Sequence, residues 1–476
     1  MSEKLRVHFL GIGGAGMSAV ALLAKQAGLE VSGCDLQEST PYLDKCKRAG
    51  IKLYVGHDAS HLQNIDIFTV TAAAFFQSQD QPEFIKGKES GKMMQWQEFM
   101  GKYLHQGKQV ISIAGTNGKS TTTSLASLVL EEAGLDPSVM VGATVKKWET
   151  NYRTGKSKYF ITESDEFFDN FLAYHPDTVI LNNIEFDHPD FFKSFDSVIE
   201  SFSKFIGNMT GAKRLIFNQD DPGIKTLFEK LGKEYLKKLN LIGYTLKSNP
   251  LISTPNSTLG TIVKHNSTGT DFKATNKDLG LNSEFHLILP GDYNVSNSLG
   301  VISLAGILKI SSSTVNKVLS SFEGIGRRLD KIGETKNKII IYDDYGHHPS
   351  AIKVTLEALK QRYPKQDIWA VVEPHGFSRT QATLPLYKNA FSEATNVVIA
   401  PIFRSRDKED FGVSGQSIVD IAKHKKIQYL DSFEKIVKYI KENIPPKTIL
   451  VVFGAGNSYY LSRDILKSLT TSQPLS

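Results

Sequence analysis

The run Gln109-Val110-Ile111-Ser112-Ile113-Ala114, followed by Gly115-Thr116-Asn117-Gly118-Lys119-Ser120-Thr121, constrains this chain more than any other feature. Its apolar residues read as a buried strand, and residues 121–133 carry helical spacing. A glycine turn between strand and helix aims backbone N–H groups and the positive helix end at phosphate. Lys119 would neutralise the outer phosphates, and Ser120 would ligate Mg²⁺. Ile113 stands where the stricter phosphate-loop pattern has its first glycine. The pattern predicts a parallel α/β sheet holding a nucleoside triphosphate at Gly115, Thr116, Asn117, Gly118, Lys119, Ser120 and Thr121.

A second strand–glycine–helix unit opens the chain. Residues 7–10 read as a strand, and Gly11, Gly13, Gly14, Ala15 and Gly16 form a loop that leads through Met17 and Ser18 into a helix over 17–28. Asp35 lies 19 residues after Gly16, at the end of the next strand. That placement suits a diphosphate on the loop and a ribose hydroxyl on Asp35, without distinguishing NAD from a UDP-sugar.

Further strands are predicted at 30–34, 65–70, 159–162, 178–182 and 214–217. Residues 248–283, rich in Ser, Thr, Asn and Gly, read as hairpins and loops. The C-terminal part predicts strands at 339–342, 368–372, 396–400 and 449–453, with helices at 350–362 and 386–394. At 476 residues the chain divides into three α/β domains. These are a Rossmann-like domain over 1–105, a central P-loop ATPase-like domain over 106–321, and a second Rossmann-like domain over 322–476.

A net charge of +6 is ordinary for a mildly basic protein, and equally suits a cleft for anionic substrates. No dense basic stripe predicts a nucleic-acid partner. Cys34 and Cys46, with eleven residues between them, have no C-x-x-C neighbour. Neither a disulfide framework nor a zinc site is expected, and a reducing cytoplasm fits. The first six residues lack a leader's apolar core, no apolar run is long enough to span a membrane, and residues 470–476 read as a frayed tail.

Two acidic segments, Thr162-Glu163-Ser164-Asp165-Glu166 and Asn182-Asn183-Ile184-Glu185-Phe186-Asp187-His188, follow strands. In a parallel sheet such loops gather at the carboxyl edge, beside the phosphate loop. Glu163 and His188 are therefore candidate metal ligands with Ser120. Oxygen donors suit Mg²⁺, and a histidine also suits Mn²⁺.

Together the phosphate loop, the Glu163 segment and the Asp187-His188 element resemble the ATP domain of Mur ligases. Pro290-Gly291-Asp292-Tyr293-Asn294-Val295-Ser296-Asn297 is similar to that family's adenine segment, with Tyr293 in place of histidine. Phe322–Arg328 resembles the opening of its third domain, and Asp343-Asp344-Tyr345-Gly346-His347-His348-Pro349 matches two of its branches. One joins L-alanine to UDP-N-acetylmuramate; the other attaches an intact tripeptide in cell-wall recycling. Glu373–Thr380 leans towards the alanine branch, except that Gly376 replaces an arginine. Residues 180–188 lean towards the tripeptide branch. Asn117 and Ser120 depart from the Gly-Thr-His-Gly-Lys-Thr of both branches.

The resemblance implies a cytoplasmic enzyme, monomer or homodimer, with no membrane or nucleic-acid partner. Its substrates would be UDP-N-acetylmuramate and L-alanine, and its cofactors ATP and Mg²⁺. It implies a UDP-sugar site at Gly11–Ser18 and Asp35, and further ATP contacts from Asn294, Asn297, Arg327 and Asp344. Tyr345, His347, His375 and Arg379 would meet the amino acid. Lys119 and His188 would assist catalysis, and His347 or His348 would take the ammonium proton. The alternatives of another class are a nicotinamide-dependent oxidoreductase, favoured only by the first glycine loop, and a non-catalytic nucleotide-binding protein.

Overall fold

Most apolar runs bounded by glycine turns become strands of parallel sheets. The structure, a computed structural model, describes residues 4–71 and 74–470. Residues 1–3, from the segment read as lacking a leader's apolar core, and residues 471–476, from the segment read as a frayed tail, lie outside the described residues. These gather into two compact units, the first holding the chain up to Ile184 with Val198–Phe217 and Asp221–Ile242, the second the rest.

The first unit carries two sheets. Strands β1 (Arg6–Leu10), β2 (Glu30–Asp35), β3 (Lys52–Val55), β4 (Ile67–Val70) and β5 (Met93–Gln95) lie in the order β3-β2-β1-β4-β5. All are parallel, so each crossover leaves from the carboxyl edge where the loop Gly11–Gly16 sits. The first helix spans Ala15–Gln26, two residues earlier at each end than the spacing predicts. Gly28, at φ +93°, receives the chain as it turns out of the helix.

The second sheet of this unit comprises β6 (Gln109–Ala114), β7 (Ser138–Val145), β8 (Thr150–Arg153), β9 (Tyr159–Ser164), β10 (Thr178–Leu181) and β11 (Arg214–Asn218). Their order is β11-β10-β6-β9-β7-β8, parallel except for β8. The central β6 is buried from Val110 to Ala114, as its apolar composition requires, and places the phosphate-type loop between β9 and β10.

In the second unit, residues 243–245 at the end of β12 (Asn240–Thr245) pair with β13 (Ser257–Asn266). Strands β14 (Gly269–Asn276) and β15 (Leu281–Leu287) continue from β13 as an antiparallel meander. The hairpins expected over 248–283 are these strands. The remaining strands are β16 (Asp330–Glu334), β17 (Ile340–Asp344), β18 (Ile368–Val372), β19 (Asn396–Ile399), β20 (Ile427–Tyr429) and β21 (Ile449–Phe453). They form a sheet ordered β16-β17-β21-β18-β19-β20, parallel apart from β16. Its strands are apolar on both faces. Tyr342 joins Ile352, Leu356 and Phe391 in one core, while Ile341 joins Ile436, Leu461 and Ile465 in the other. Helices on both sides follow from that composition.

Residues 243–321 thus pack with the C-terminal sheet's unit. Arg362, on the helix Pro349–Arg362, reaches the Ile288 carbonyl at 3.5 Å. The helix expected over 386–394 is instead a short 3₁₀ segment, Leu384–Asn389, begun by Pro385. Proline suits the first turn, and the tighter winding rarely continues beyond a few residues. Among the described residues no helix is long and apolar enough to cross a membrane.

Candidate active site

The first glycine loop is held by its own backbone and by Asp35. Gly11 and Ile12 donate to the Cys34 carbonyl at 2.9 and 3.0 Å. Asp35 Oδ2 accepts the Gly13 N–H at 2.9 Å, and Oδ1 accepts that of Gln37 at 3.1 Å. A Cβ on Gly13 would lie 2.7 Å from Asp35 Oδ2, so this close approach demands glycine. Asp35, expected to meet a ribose, braces the loop. Gly14 precedes the helix, and Gly16 lies beside the Trp96 ring. Met17 and Ser18 are buried, and the Ser18 hydroxyl bonds the Ala15 carbonyl at 3.1 Å. Neither presents its side chain to the surface.

The second loop rests on β10's successor residues. Asn183 Oδ1 accepts the Asn117 N–H at 2.7 Å, its Nδ2 donates to the Asn117 carbonyl at 3.1 Å, and its own carbonyl accepts from Thr116 at 3.1 Å. Asn182 Nδ2 donates to Thr122 Oγ1 at 3.0 Å. The helix Lys119–Glu132 begins directly after Gly118, so Gly115–Thr121 is a rigid turn at a helix N-terminus. That turn is built as a phosphate cradle requires.

Lys119 Nζ lies 2.8 Å from Glu166 Oε2 and 3.5 Å from Asp165. Burial opposes its charge, but these carboxylates outweigh burial and hold the ammonium above its ordinary range. Burial in turn raises Glu166, to about 7, against the pull of Lys119. Ser120 is buried in the helix's first turn, and Glu163 accepts the Gly142 N–H at 2.8 Å. Hydroxyl and carboxylate oxygens are the donor types Mg²⁺ prefers. Ser120 and Glu163 belong to the first unit and His188 to the second.

The second unit gathers a cluster around Arg379, which stands on the helix Phe377–Thr383. Its Nε bonds Asp187 Oδ1 at 2.9 Å, and Nη2 donates to His188 Nδ1 at 2.7 Å. Its Nη1 lies 2.6 Å from His347 Nε2 and 3.4 Å from His375 Nδ1. His347 Nδ1 faces the Tyr345 carbonyl at 3.1 Å. The tautomer consistent with both contacts is protonated on Nδ1 and accepts at Nε2. Burial, then the Arg379 cation, depress His347 well below its ordinary value and His375 to about 4. Burial favours the neutral acid at Asp187 too, but there the Arg379 guanidinium works against burial and holds the carboxyl below the usual carboxylate range. The cluster therefore sets one guanidinium and one carboxylate beside His347 and His375, both held neutral.

His348 caps the helix Pro349–Arg362, its Nδ1 accepting from Ser350 at 3.3 Å, and Glu185 Oε2 lies 3.6 Å away. Tyr345 stacks under Arg327 and Arg328. Arg327 donates to the Gly454 carbonyl at 2.7 Å and to Ser458 at 3.1 Å. Asp344 accepts from Leu329 at 2.6 Å and Gly346 at 2.7 Å, so both its oxygens brace the turns leading to His347. Asn294 and Asn297 are buried on the helix Asp292–Ile307, with Asn294 tied to the Pro290 carbonyl at 2.8 Å. Gly376, read above as replacing an arginine of the alanine branch, sits at φ +79° with Asp407 3.2 Å from a notional Cβ. A side chain there would be strained.

Three residues outside the candidate set matter: Asn183, Glu166 and Asp187. Each lies in a segment that sequence reasoning marked as acidic or polar. Only packing distinguishes Glu166 from Asp165 as the close partner of Lys119.

The neutral histidines give a pH prediction. Their folded values lie below 6.5, so the unfolded chain takes protons first as pH falls, and stability drops between about pH 6.5 and pH 4. Urea midpoints across that window are expected to decline, and His375→Gln to flatten part of the slope. An unchanged slope in the variant would place the titration elsewhere.

Residues 6–106 match the family described as Mur ligase family, catalytic domain; 113–305 match Mur ligase middle domain; 327–456 match Mur ligase, glutamate ligase domain. The UDP-N-acetylmuramate–L-alanine ligase of Alkaliphilus metalliredigens is 34% identical over 465 residues, covering 97% of this chain and 96% of that protein. The enzyme of the same name from Caldicellulosiruptor saccharolyticus is 34% identical over 455 residues, covering 95% and 96%. Among solved structures, the UDP-N-acetylmuramate-alanine ligase of Thermotoga maritima aligns with a TM-score of 0.74 at 23% identity, over 98% of this chain and all of that one. The murein peptide ligase of Psychrobacter arcticus aligns with a TM-score of 0.67 at 24% identity, over 99% and 100%.

Proposed function

The chain belongs to the Mur ligase family, and on that premise we propose that it joins L-alanine to the carboxylate of UDP-N-acetylmuramate in peptidoglycan precursor synthesis. The observation that carries the reading is near-full-length identity of 34% to relatives bearing that activity in their names. The domain limits proposed remain 1–105, 106–321 and 322–476, close to the matched segments. With a UDP-linked substrate and an ATP requirement, the proposed location is the cytoplasm.

A carboxylate is a poor acyl donor, because its leaving group would be oxide. ATP with Mg²⁺, for which Ser120 and Glu163 offer oxygen donors, would convert it to an acyl phosphate. The phosphate loop would position the triphosphate, and Lys119 would neutralise charge that builds on the transferred group. In the second unit Arg379 offers a fork that matches a carboxylate, now held by Asp187. The α-carboxylate of the incoming amino acid would compete for it. His347 would accept the ammonium proton once Arg379 turns from its Nε2 to the substrate. Until then that lone pair is engaged.

The test is phosphate release with ATP, Mg²⁺ and UDP-N-acetylmuramate, comparing L-alanine, L-serine, glycine and the L-Ala–γ-D-Glu–diaminopimelate tripeptide. Release with L-alanine is expected. Release with the tripeptide alone would move the protein to the recycling branch, and silence with every amine would overturn the ligase reading.

A further inference from the structure

Four metal-ligating side chains converge inside the first sheet, away from the groups assigned to catalysis. His8 comes from β1, Cys34 from β2, His61 from the 3₁₀ turn Ala59–Leu62, and Glu83 from the helix Pro82–Glu89. Their nearest ligand atoms all lie within 4.8 Å of one another. Glu83 Oε1 stands 3.0 Å from His8 Nε2 and 3.2 Å from His61 Nδ1, and its Oε2 accepts from Cys34 Sγ at 3.1 Å. His8, Cys34 and Glu83 are fully buried.

We propose that His8, Cys34, His61 and Glu83 form a binding site for a borderline divalent transition ion, with Zn²⁺ the fitting case. One sulfur, two imidazole nitrogens and one carboxylate make the mixed four-ligand set that zinc takes tetrahedrally. Bonds of about 2.0–2.3 Å set tetrahedral ligand atoms about 3.3–3.8 Å apart, so the observed spacings need only small side-chain shifts.

A second observation singles out the centre of the cluster. His8 Nδ1 is bonded to Ser32 Oγ at 2.8 Å, which fixes the ring and aims Nε2 at the other three groups. That nitrogen is fully buried and faces the Glu83 carboxylate at 3.0 Å, at the centre of the four groups. The Nδ1 bond to Ser32 leaves Nε2 as the ligand nitrogen and orients the ring, the role that outer hydrogen bonds play for metal-binding histidines. Entry is open from one side, where His61 and His57 keep a tenth of their surface in solvent. Binding replaces the S–H proton of Cys34, released to solvent, with a sulfur–metal bond. No C-x-x-C spacing marks the site, because its ligands come from four separate segments.

The ion would tie β1, β2, the 3₁₀ turn and the helix Pro82–Glu89 together. Cys34 also holds the glycine loop through its carbonyl, so occupancy would stiffen the loop assigned to the UDP-sugar. The inference does not rest on the ligase activity.

Its test uses the full chain, loaded with ZnCl₂, desalted and analysed by mass spectrometry for metal, with a parallel Co²⁺ titration. About one zinc per chain is expected, falling to a tenth or less in Cys34→Ser and in His61→Ala. Cobalt is expected to give a thiolate charge-transfer band in the wild type and in Cys46→Ser, and none in Cys34→Ser. If Cys34→Ser fails to fold by circular dichroism, the Cys46→Ser band still decides, since only Cys34 remains to supply a thiolate. Absence of stoichiometric metal and of the band, or metal retained undiminished in a folded Cys34→Ser, would overturn the proposal.

Discussion

Lys119→Met is expected to lower kcat for phosphate release by about 10³-fold or more while leaving the fold intact, because phosphoryl transfer depends on charge neutralisation that no neutral side chain supplies. The ammonium is placed by the first turn of the helix Lys119–Glu132 and held by Glu166 at 2.8 Å. Removing one partner of a buried ion pair commonly costs about 3–5 kcal/mol, through the charge left behind. Here Glu166 has an escape. Burial already raises its carboxyl to about 7, and without Lys119 it would take a proton and stay neutral. Its folded pKa would then lie above the unfolded value. The variant's stability is fully present below about pH 4.5 and lost as pH rises through the folded value. Urea midpoints at pH 5 and pH 8 are expected to diverge more for Lys119→Met than for the wild type, and Lys119→Met/Glu166→Gln to remove the divergence. Turnover that survives in a folded Lys119→Met would show that this loop is not the phosphate cradle.

The second large effect is expected at Arg379. Truncating a charge that is hydrogen-bonded in a dry site costs about 2–5 kcal/mol, so Arg379→Ala should reduce kcat/KM for the amine roughly 30- to 5,000-fold. The KM for ATP should stay close to wild type. Arg379→Lys should not rescue it, since a point charge cannot reproduce the fork that reaches Asp187, His188 and His347 together. A structural role alone would not predict the accompanying titration. Arg379 is the largest charge depressing His347 and His375, so both should rise in the variant, His375 from about 4, although burial still holds them down. Asp187 should rise as well, having lost the cation that keeps it ionised. Histidine chemical shifts followed against pH would read this directly. An unchanged amine KM together with unmoved histidines would remove Arg379 from the amino-acid site.

Both predictions lean on residues whose types were readable and whose partners were not. Lys119 and Arg379 stand out in the chain by motif. Glu166 and Asp187 do not, because each sits beside another acidic or polar residue that looks equivalent in one dimension. The exposure of Asp165 and the burial of Glu166 follow from how β9 ends against the helix after Gly118, a non-local contact. The carboxylate of Asp344, read as an ATP contact, spends both oxygens on backbone N–H groups, which no spacing rule reveals.

What the sequence by itself determined is the class of fold and the position of the loops. Apolar strands such as 109–114 and 449–453 can be buried only in a sheet covered on both faces, and glycine permits the left-handed turns at 11, 115 and 118 and the close approach at 13. Local sterics and burial act over a few residues, so they are written locally. The tertiary structure alone decided which helix limits held, that residues 386–394 form a short 3₁₀ segment rather than a helix, and that residues 243–321 pack with the C-terminal sheet. It also decided that His347 enters the cluster neutral and hydrogen-bonded to Arg379, and that His8, Cys34, His61 and Glu83 meet. Those outcomes depend on charges and hydrogen bonds between groups far apart in the chain, in a low-dielectric interior whose shape exists only after folding.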